Sequence, residues 1–296
     1  MRIPHSAIAD VAAVSEHYDD LDDLYRSIWG SNLHHGYWIT GKESVEEAVI
    51  NLTHLVARVA SVRPGDQVCD IGSGYGAAAL TLNHAYGVAV TGMTISPKQF
   101  HQAQIAAAGN NSVNFLLCDA LQNDLVPGAY DAVIAVESSE HFMDKTKLVS
   151  EAYRLLRPGG RCVIAAWLTS ERPGSWESTH LLEPICAEGR IPSLASVAEF
   201  QTMLETAGFC ETRFIDLTRS VKKPGRFAHF VSSSDFSPIP LCGDACSIPA
   251  SSTATSPKLF SVSGWPMKRG PCVTDYSQHK SNPFEQPFPR WIFPSP

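Results

Sequence analysis

The chain has 296 residues, 44% of them hydrophobic, which is enough for one domain of ordinary size with an appendage. The formal net charge is −7 and no run of Lys or Arg marks a phosphate-tracking surface, so a nucleic-acid substrate has little electrostatic support. The longest apolar stretches, such as Cys162 to Leu168, are too short to cross a bilayer, and the N-terminus lacks the apolar core and cleavage site of a signal peptide. A cytosolic protein with no membrane span is expected. The eight cysteines form no two CxxC pairs, so buried free thiols are expected and no metal site.

In chain order, Ile8, Val11, Val14, Leu21, Leu24, Tyr25 and Ile28 recur at three- and four-residue steps and predict one or two helices between Ala7 and Trp29. A second helix is predicted from Glu43 to Val62, ended by Pro64-Gly65. Gln67 to Ile71 then reads as a buried strand entering a glycine loop. Alternation follows: helix Tyr75 to Ala85, strand Val88 to Met93, helix Pro97 to Ala108, strands Val113 to Leu117 and Tyr130 to Val136. A helix from Lys145 to Leu156 stops at Arg157-Pro158-Gly159-Gly160, before a strand from Arg161 to Leu168. Helices near Trp176 to Glu188 and Ser196 to Ala207 lead to a strand at Glu211 to Leu217. Strands and helices taking turns predict an α/β fold, a doubly wound, mostly parallel sheet covered on both faces.

The most informative segment is Asp70-Ile71-Gly72-Ser73-Gly74-Tyr75-Gly76. Closely spaced glycines between a strand and a helix let a ligand approach the backbone where a Cβ would obstruct it. A dinucleotide site needs GxGxxG and an acid about twenty residues on. Here the spacing is GxGxG and the second strand ends Gly92-Met93-Thr94 without a carboxylate, so that reading fails on both counts.

Four passages together carry a resemblance to class I S-adenosylmethionine-dependent methyltransferases, in the branch of tocopherol, rebeccamycin-sugar and related natural-product enzymes. They are Ile28-Trp29-Gly30 with His34-His35-Gly36-Tyr37-Trp38, the glycine loop, Gly92 to Gln99, and Glu137-Ser138-Ser139-Glu140-His141-Phe142. The likeness spans roughly residues 15 to 225. It implies a Rossmann-like fold and S-adenosyl-L-methionine as cofactor. Asp70, Gly72, Ser73, Gly74 and Gly76 would then meet the methionine part, Thr94 or Gln99 the ribose, and Asp119-Ala120 the adenine. Glu137 would lie at the same edge, and Tyr37 in an N-terminal lid. Without the resemblance, Asp119 after a strand reads more readily as a cap, and Tyr37 and Trp38 could equally pack the lid.

Methyl transfer from a sulfonium is an in-line displacement, so the protein must chiefly align donor and acceptor in a dry pocket. A hydroxyl acceptor also needs a base, and His141, with an ordinary pKa near 6.5, is the best-placed candidate. Packing is an equal alternative for it. Glu140 could orient the imidazole or bind a cationic acceptor.

The expected organisation is an N-terminal helical lid over residues 1–62, the cofactor-binding domain over 63–230 and an irregular Pro/Ser-rich tail over 231–296, expected to be disordered. Eleven of the twenty prolines fall in those last 66 residues. Such a tail is expected to lack the antiparallel seventh strand with which class I methyltransferases finish, and the abrupt change of composition favours a shifted reading frame over an acquired tail. The expected activity is methyl transfer to an oxygen or carbon of a hydrophobic small molecule, such as a prenylated ring, terpenoid or glycosylated metabolite. N-methylation of a small amine, and a cofactor-binding but inactive regulator, are the alternatives.

Overall fold

A computed structural model describes residues 11–21, 32, 34–221 and 256–263. These fall in one compact unit, Met1–Pro266; the second, Met267–Pro296, contains none of them. Helices α1 (Val11–Asp20) and α2 (Val45–Val59) precede β1 (Gln67–Ile71), α3 (Ala77–Tyr86), β2 (Ala89–Thr94), α4 (Pro97–Ala106), β3 (Val113–Leu117) and β4 (Tyr130–Val136). A 3₁₀ turn (Ser139–His141) leads into α5 (Lys145–Leu155) and β5 (Leu156–Leu168). Then come α6 (Ser175–Glu177), a π turn (Ser178–Leu182), α7 (Glu183–Glu188), α8 (Val197–Ala207), β6 (Thr212–Asp216), α9 (Thr218–Val221) and β7 (Ser256–Ser263). The rest of the helix predicted between Ala7 and Trp29, and of the tail over 231–296, lies outside the described residues.

The helix ends follow from local chemistry. Ser44 and Glu47 form a capping box at the start of α2, and Ser196 and Glu199 repeat it at α8. Ser96 caps α4, with Pro97 at its first position. The predicted helix around Trp176 to Glu188 is present but carries the π turn, a form that sequence periodicity does not reveal.

All seven strands form one sheet, in the order β3-β2-β1-β4-β5-β7-β6. Pairs β1–β2, β1–β4, β2–β3 and β4–β5 are parallel. Along the central strands the side chains alternate between two apolar layers, as a sheet covered on both faces requires. Ala132, Ile134 and Val136 join Val163 and Ala165 beneath Leu52 and Val56 of α2 and Leu82 of α3. Val133 and Ala135 join Ile164 and Ala166 beneath Leu148 and Ala152 of α5 and Phe200 and Leu204 of α8.

The expectation that the closing strand is missing is overturned. Strand β7 runs antiparallel between β5 and β6, with Ile164 opposite Phe260 and Phe214 opposite the same residue. The prolines that argued against it lie elsewhere in the tail, except Pro257. That residue is second in β7, opposite Trp167 near the strand end, where losing one ladder donor is tolerated. Lys258 to Ser263 carries no proline and includes Leu259, Phe260 and Val262. Residues 256–263 of the tail therefore contribute a strand to the centre of one half of the sheet.

Terminating the chain after residue 250 should leave β5 and β6 with facing unpaired edges. The expected outcome is aggregation and loss of a cooperative melt, checked by light scattering and thermal unfolding. A truncated protein melting like the full chain would show that β7 is dispensable.

Candidate active site

The strand order reverses between β1 and β4, since the chain leaves β1 toward β2 and later returns to β4 on the other side. Open α/β sheets bind ligands at the carboxyl ends of the strands flanking such a point. The loop after β1 carries Asp70 to Gly76, and the loop after β4 carries Glu137 to His141. The two are locked together. The Ser138 hydroxyl donates to the Ile71 carbonyl at 2.5 Å, and a Cβ on Gly72 would collide with the Ser138 side chain.

Within the glycine loop the backbone N–H groups of Gly72 and Ser73 both donate to the Met93 carbonyl at 2.9 Å, which ties the loop to the end of β2. The Ser73 hydroxyl leans on that same carbonyl at 3.3 Å. Gly76 caps α3 with φ +82°, and a Cβ there would run into the Phe115 ring. Gly74, at φ +54°, differs: among the described residues a Cβ would meet nothing within 4 Å. Asp70 is 2% exposed, and its Oδ2 is buried without a hydrogen bond. Burial pushes its carboxyl up to about 7. An orphaned buried carboxylate beside a backbone cradle open above Gly74 suits the ammonium of an amino-acid moiety, so the residues present fit the methionine part of S-adenosylmethionine.

That carboxylate also makes a stability prediction. Because the folded pKa of Asp70 lies above its usual 3.8, the native state holds a proton that the unfolded state releases, and stability falls as pH rises from about 3.8 through 7. Asp70→Asn should therefore raise the melting temperature of the ligand-free protein at pH 8, by a stabilisation on the order of a few kcal/mol, and hardly at all at pH 4. The same variant should bind S-adenosylhomocysteine more weakly at pH 8. Paired calorimetry and melts check both arms; an unchanged melt at pH 8 would contradict the buried charge.

The remaining predicted cofactor residues line the adjacent strand ends. Thr94 and Gln99 are both 5% exposed and meet each other, the Thr94 hydroxyl donating to Gln99 Oε1 at 2.9 Å. Asp119 caps the turn after β3, accepting from the Leu121 N–H at 2.8 Å and from Gln122 Nε2 at 3.2 Å, as a bare reading of the residue predicts. Ala120 is buried behind it. Glu137 sits at φ +49° and accepts twice from His35, from the backbone N–H at 3.0 Å and from Nδ1 at 2.7 Å. Burial opposes its anion, but the His35 and His34 imidazoles outweigh that and hold the carboxyl below its ordinary range. Tyr37 packs, half-buried, against the α2 layer, while its N–H donates to the Ala48 carbonyl at 2.7 Å.

The residues after β4 form a second cluster. Glu140 is buried; its Oε1 accepts from the Trp167 N–H at 2.5 Å and its Oε2 from the Ser139 hydroxyl at 3.2 Å. Burial pushes it up to about 7 despite those donors. His141 is partly buried. Its Nε2 lies 2.8 Å from the Tyr18 hydroxyl of α1, and its Nδ1 sits beside the Arg190 backbone without a well-formed hydrogen bond. Burial first, then the charges of His17 and Lys145, lower its pKa to about 4, so the imidazole is neutral across the physiological range. Glu140 therefore reaches back to β5 rather than to the His141 ring.

Helix α1 is docked over this edge: Ser15 donates to the Ile95 carbonyl at 2.9 Å, and Ser96 to Asp19 Oδ1 at 2.5 Å. Lys98 Nζ donates to the Asp19 carbonyl at 2.6 Å. Sequence reasoning missed Tyr18, whose place in an amphipathic helix gives no chemical signal. It also missed Lys145, where a lysine in the first turn of a helix was the available clue.

The family described as mycolic acid cyclopropane synthetase matches residues 5–218. The 27-O-demethylrifamycin SV methyltransferase of Amycolatopsis mediterranei is 35% identical over 199 residues, covering 66% of this chain and 72% of that protein. The chloroplastic tocopherol O-methyltransferase of Arabidopsis thaliana is 29% identical over 230 residues, covering 70% and 66% respectively. Among solved structures, the mycolic acid cyclopropane synthase CmaA1 complexed with SAH and CTAB aligns with a TM-score of 0.63 at 26% identity, covering 73% of this chain and 79% of that one. With the fold and the cradle already in place, these matches put the chain in the mycolic acid cyclopropane synthetase family, among the class I S-adenosylmethionine-dependent methyltransferases of small molecules.

Proposed function

We infer that the enzyme methylates a ring hydroxyl of a hydrophobic small molecule, with His141 as the base that takes the hydroxyl proton. One observation carries this reading: the phenol of Tyr18 stands 2.8 Å from His141 Nε2. A phenolic oxygen on that nitrogen occupies the position that an acceptor hydroxyl needs for proton transfer. The imidazole is neutral, the form able to accept a proton, but its lowered pKa makes it a weak base. A weak base suits an acceptor whose hydroxyl is itself acidic, so a phenol or hydroquinone fits better than an aliphatic alcohol. The rifamycin and tocopherol methyltransferases among the relatives agree with a hydrophobic acceptor.

Bound S-adenosylmethionine supplies an electrophilic methyl group on its sulfonium. Asp70 and the backbone from Gly72 through Ser73 and Gly74 to Gly76 would hold its methionine part, and Thr94 with Gln99 the ribose side. Since Gln99 Oε1 is taken by Thr94, a ribose contact from Gln99 runs through its amide NH₂. Asp119 and Ala120 would border the adenine. Glu137 and Tyr37 act by holding the N-terminal segment down, Glu137 through His35 and Tyr37 through α2, which helps exclude water. Glu140 fixes the end of β5 at Trp167, whose ring meets His35 edge-on at 4.4 Å between centroids. A net charge of −7 supports a small-molecule acceptor over a nucleic acid, and we place the activity in the cytosol.

A panel of matched acceptors tests the reading: a prenylated hydroquinone, its dimethyl ether and the corresponding aniline without ring hydroxyls, each with methyl-labelled cofactor and products resolved by NMR. Label on the ring oxygen of the hydroquinone alone is expected. Label on nitrogen or ring carbon would replace it with the amine or carbon readings, and cofactor binding without any transfer would favour an inactive regulator.

A further inference from the structure

Lys145 opens α5, where the helix dipole disfavours a cation, and it is only 6% exposed. A residue that breaks two local preferences at once, beside a site, calls for a compensating role. Its ammonium has three donors, and three acceptors meet them: the Glu140 carbonyl at 3.1 Å, the Phe142 carbonyl at 2.9 Å and the Ser193 hydroxyl at 3.2 Å. The first two belong to the residues immediately before and after His141. The third belongs to the segment that follows Arg190, whose backbone faces His141 and whose neighbours Ile191 and Leu194 pack with Leu182 and Cys186.

We propose that Lys145 is a positioning residue for methyl transfer, pinning the backbone on both sides of His141 and fastening the 190–195 segment against it. The inference rests on the reading of His141 as the base. A point charge on a flexible stem can serve three oxygens from one nitrogen, which a planar guanidinium cannot. The charge has a second effect, since it opposes protonation of the imidazole. Among the described residues, the groups facing His141 are Tyr18 and His17 of α1, Lys145 of α5 and the Arg190 backbone, while the neighbouring Glu140 turns to the Trp167 N–H. Those facing Lys145 are Glu140, Cys186 of α7 and Glu199 of α8.

The test uses the full chain saturated with S-adenosylhomocysteine, as wild type, Lys145→Met and Lys145→Arg, with His141→Gln to assign the imidazole resonance. In Lys145→Met, amide exchange at residues 139–142 should accelerate about tenfold or more while β4 keeps its protection. The His141 imidazole should titrate at higher pH, because a cationic neighbour is gone. Lys145→Arg should keep the low titration yet still loosen the turn. With the acceptor found by the panel, kcat should fall about tenfold to a hundredfold in both variants, with KM little changed. Wild-type exchange or wild-type kcat in Lys145→Met overturns the proposal. If that variant does not fold, Lys145→Arg decides it by the same two readouts. Wild-type turnover in His141→Gln removes the base reading and leaves the exchange result standing, so the two failures are distinguishable.

Discussion

Replacing Gly74 by valine is expected to abolish binding of S-adenosylhomocysteine while leaving a folded protein. The residue sits at φ +54°, a conformation that costs a β-branched side chain roughly 1–2 kcal/mol. That strain alone does not explain complete loss. The added atoms enter a volume that no described residue beyond the chain neighbours of Gly74 approaches within 4 Å of the Cβ, in the loop that Asp70 opens, where the methionine part of the cofactor is expected. Gly76→Val makes the contrasting control. There the side chain would run into Phe115, a buried member of the α2–α3 layer, and folding itself should fail. Micromolar affinity retained by Gly74→Val, measured by calorimetry, would move the cofactor elsewhere.

His141→Ala should lower kcat by about 10² to 10⁴, the usual range for a lost general base, with the affinity for S-adenosylhomocysteine nearly unchanged. The fold should tolerate the change. His141 is only partly buried and holds a nitrogen without a well-formed partner, so its removal relieves a cost as well as deleting a contact. Tyr18→Phe separates the two partners, because it removes the competing phenol and leaves the imidazole free for the acceptor. Its kcat should stay near wild type or rise. An unaltered rate in His141→Ala would point to a carbon or amine acceptor, whose electrons attack without prior deprotonation.

The sheet was legible because its strands announce themselves by composition. Gln67–Ile71, Val113–Leu117 and Tyr130–Val136 are observed with the predicted bounds, and the glycine loop joins β1 to a helix as predicted. Strand β7 was missed because the proline count of the whole tail was applied to eight residues that contain only Pro257. A strand held on both sides by β5 and β6 needs little propensity of its own, since tertiary pairing supplies what the local sequence does not. In the candidate site, Asp70, Glu140 and His141 could be named from their places after the first and fourth strands and from the family resemblance, yet their relations could not. The pairing of Glu140 with the Trp167 backbone, of Glu137 with His35 and of His141 with Tyr18 spans 27, 102 and 123 residues of sequence. Each is set by where the sheet and the N-terminal segment bring strand ends together.

A single-turnover experiment tests the central claim most directly. Enzyme preloaded with one equivalent of S-adenosylmethionine labelled at its methyl group is mixed with the acceptor identified by the panel, and the label is followed in wild type and in His141→Ala. One label should pass to the acceptor oxygen per S-adenosylhomocysteine formed in wild type, with the rate falling by about 10² or more in the variant. Equal rates in the two proteins, or a bound cofactor that gives up no label, would contradict methyl transfer directed by His141 over the Gly72–Gly76 loop.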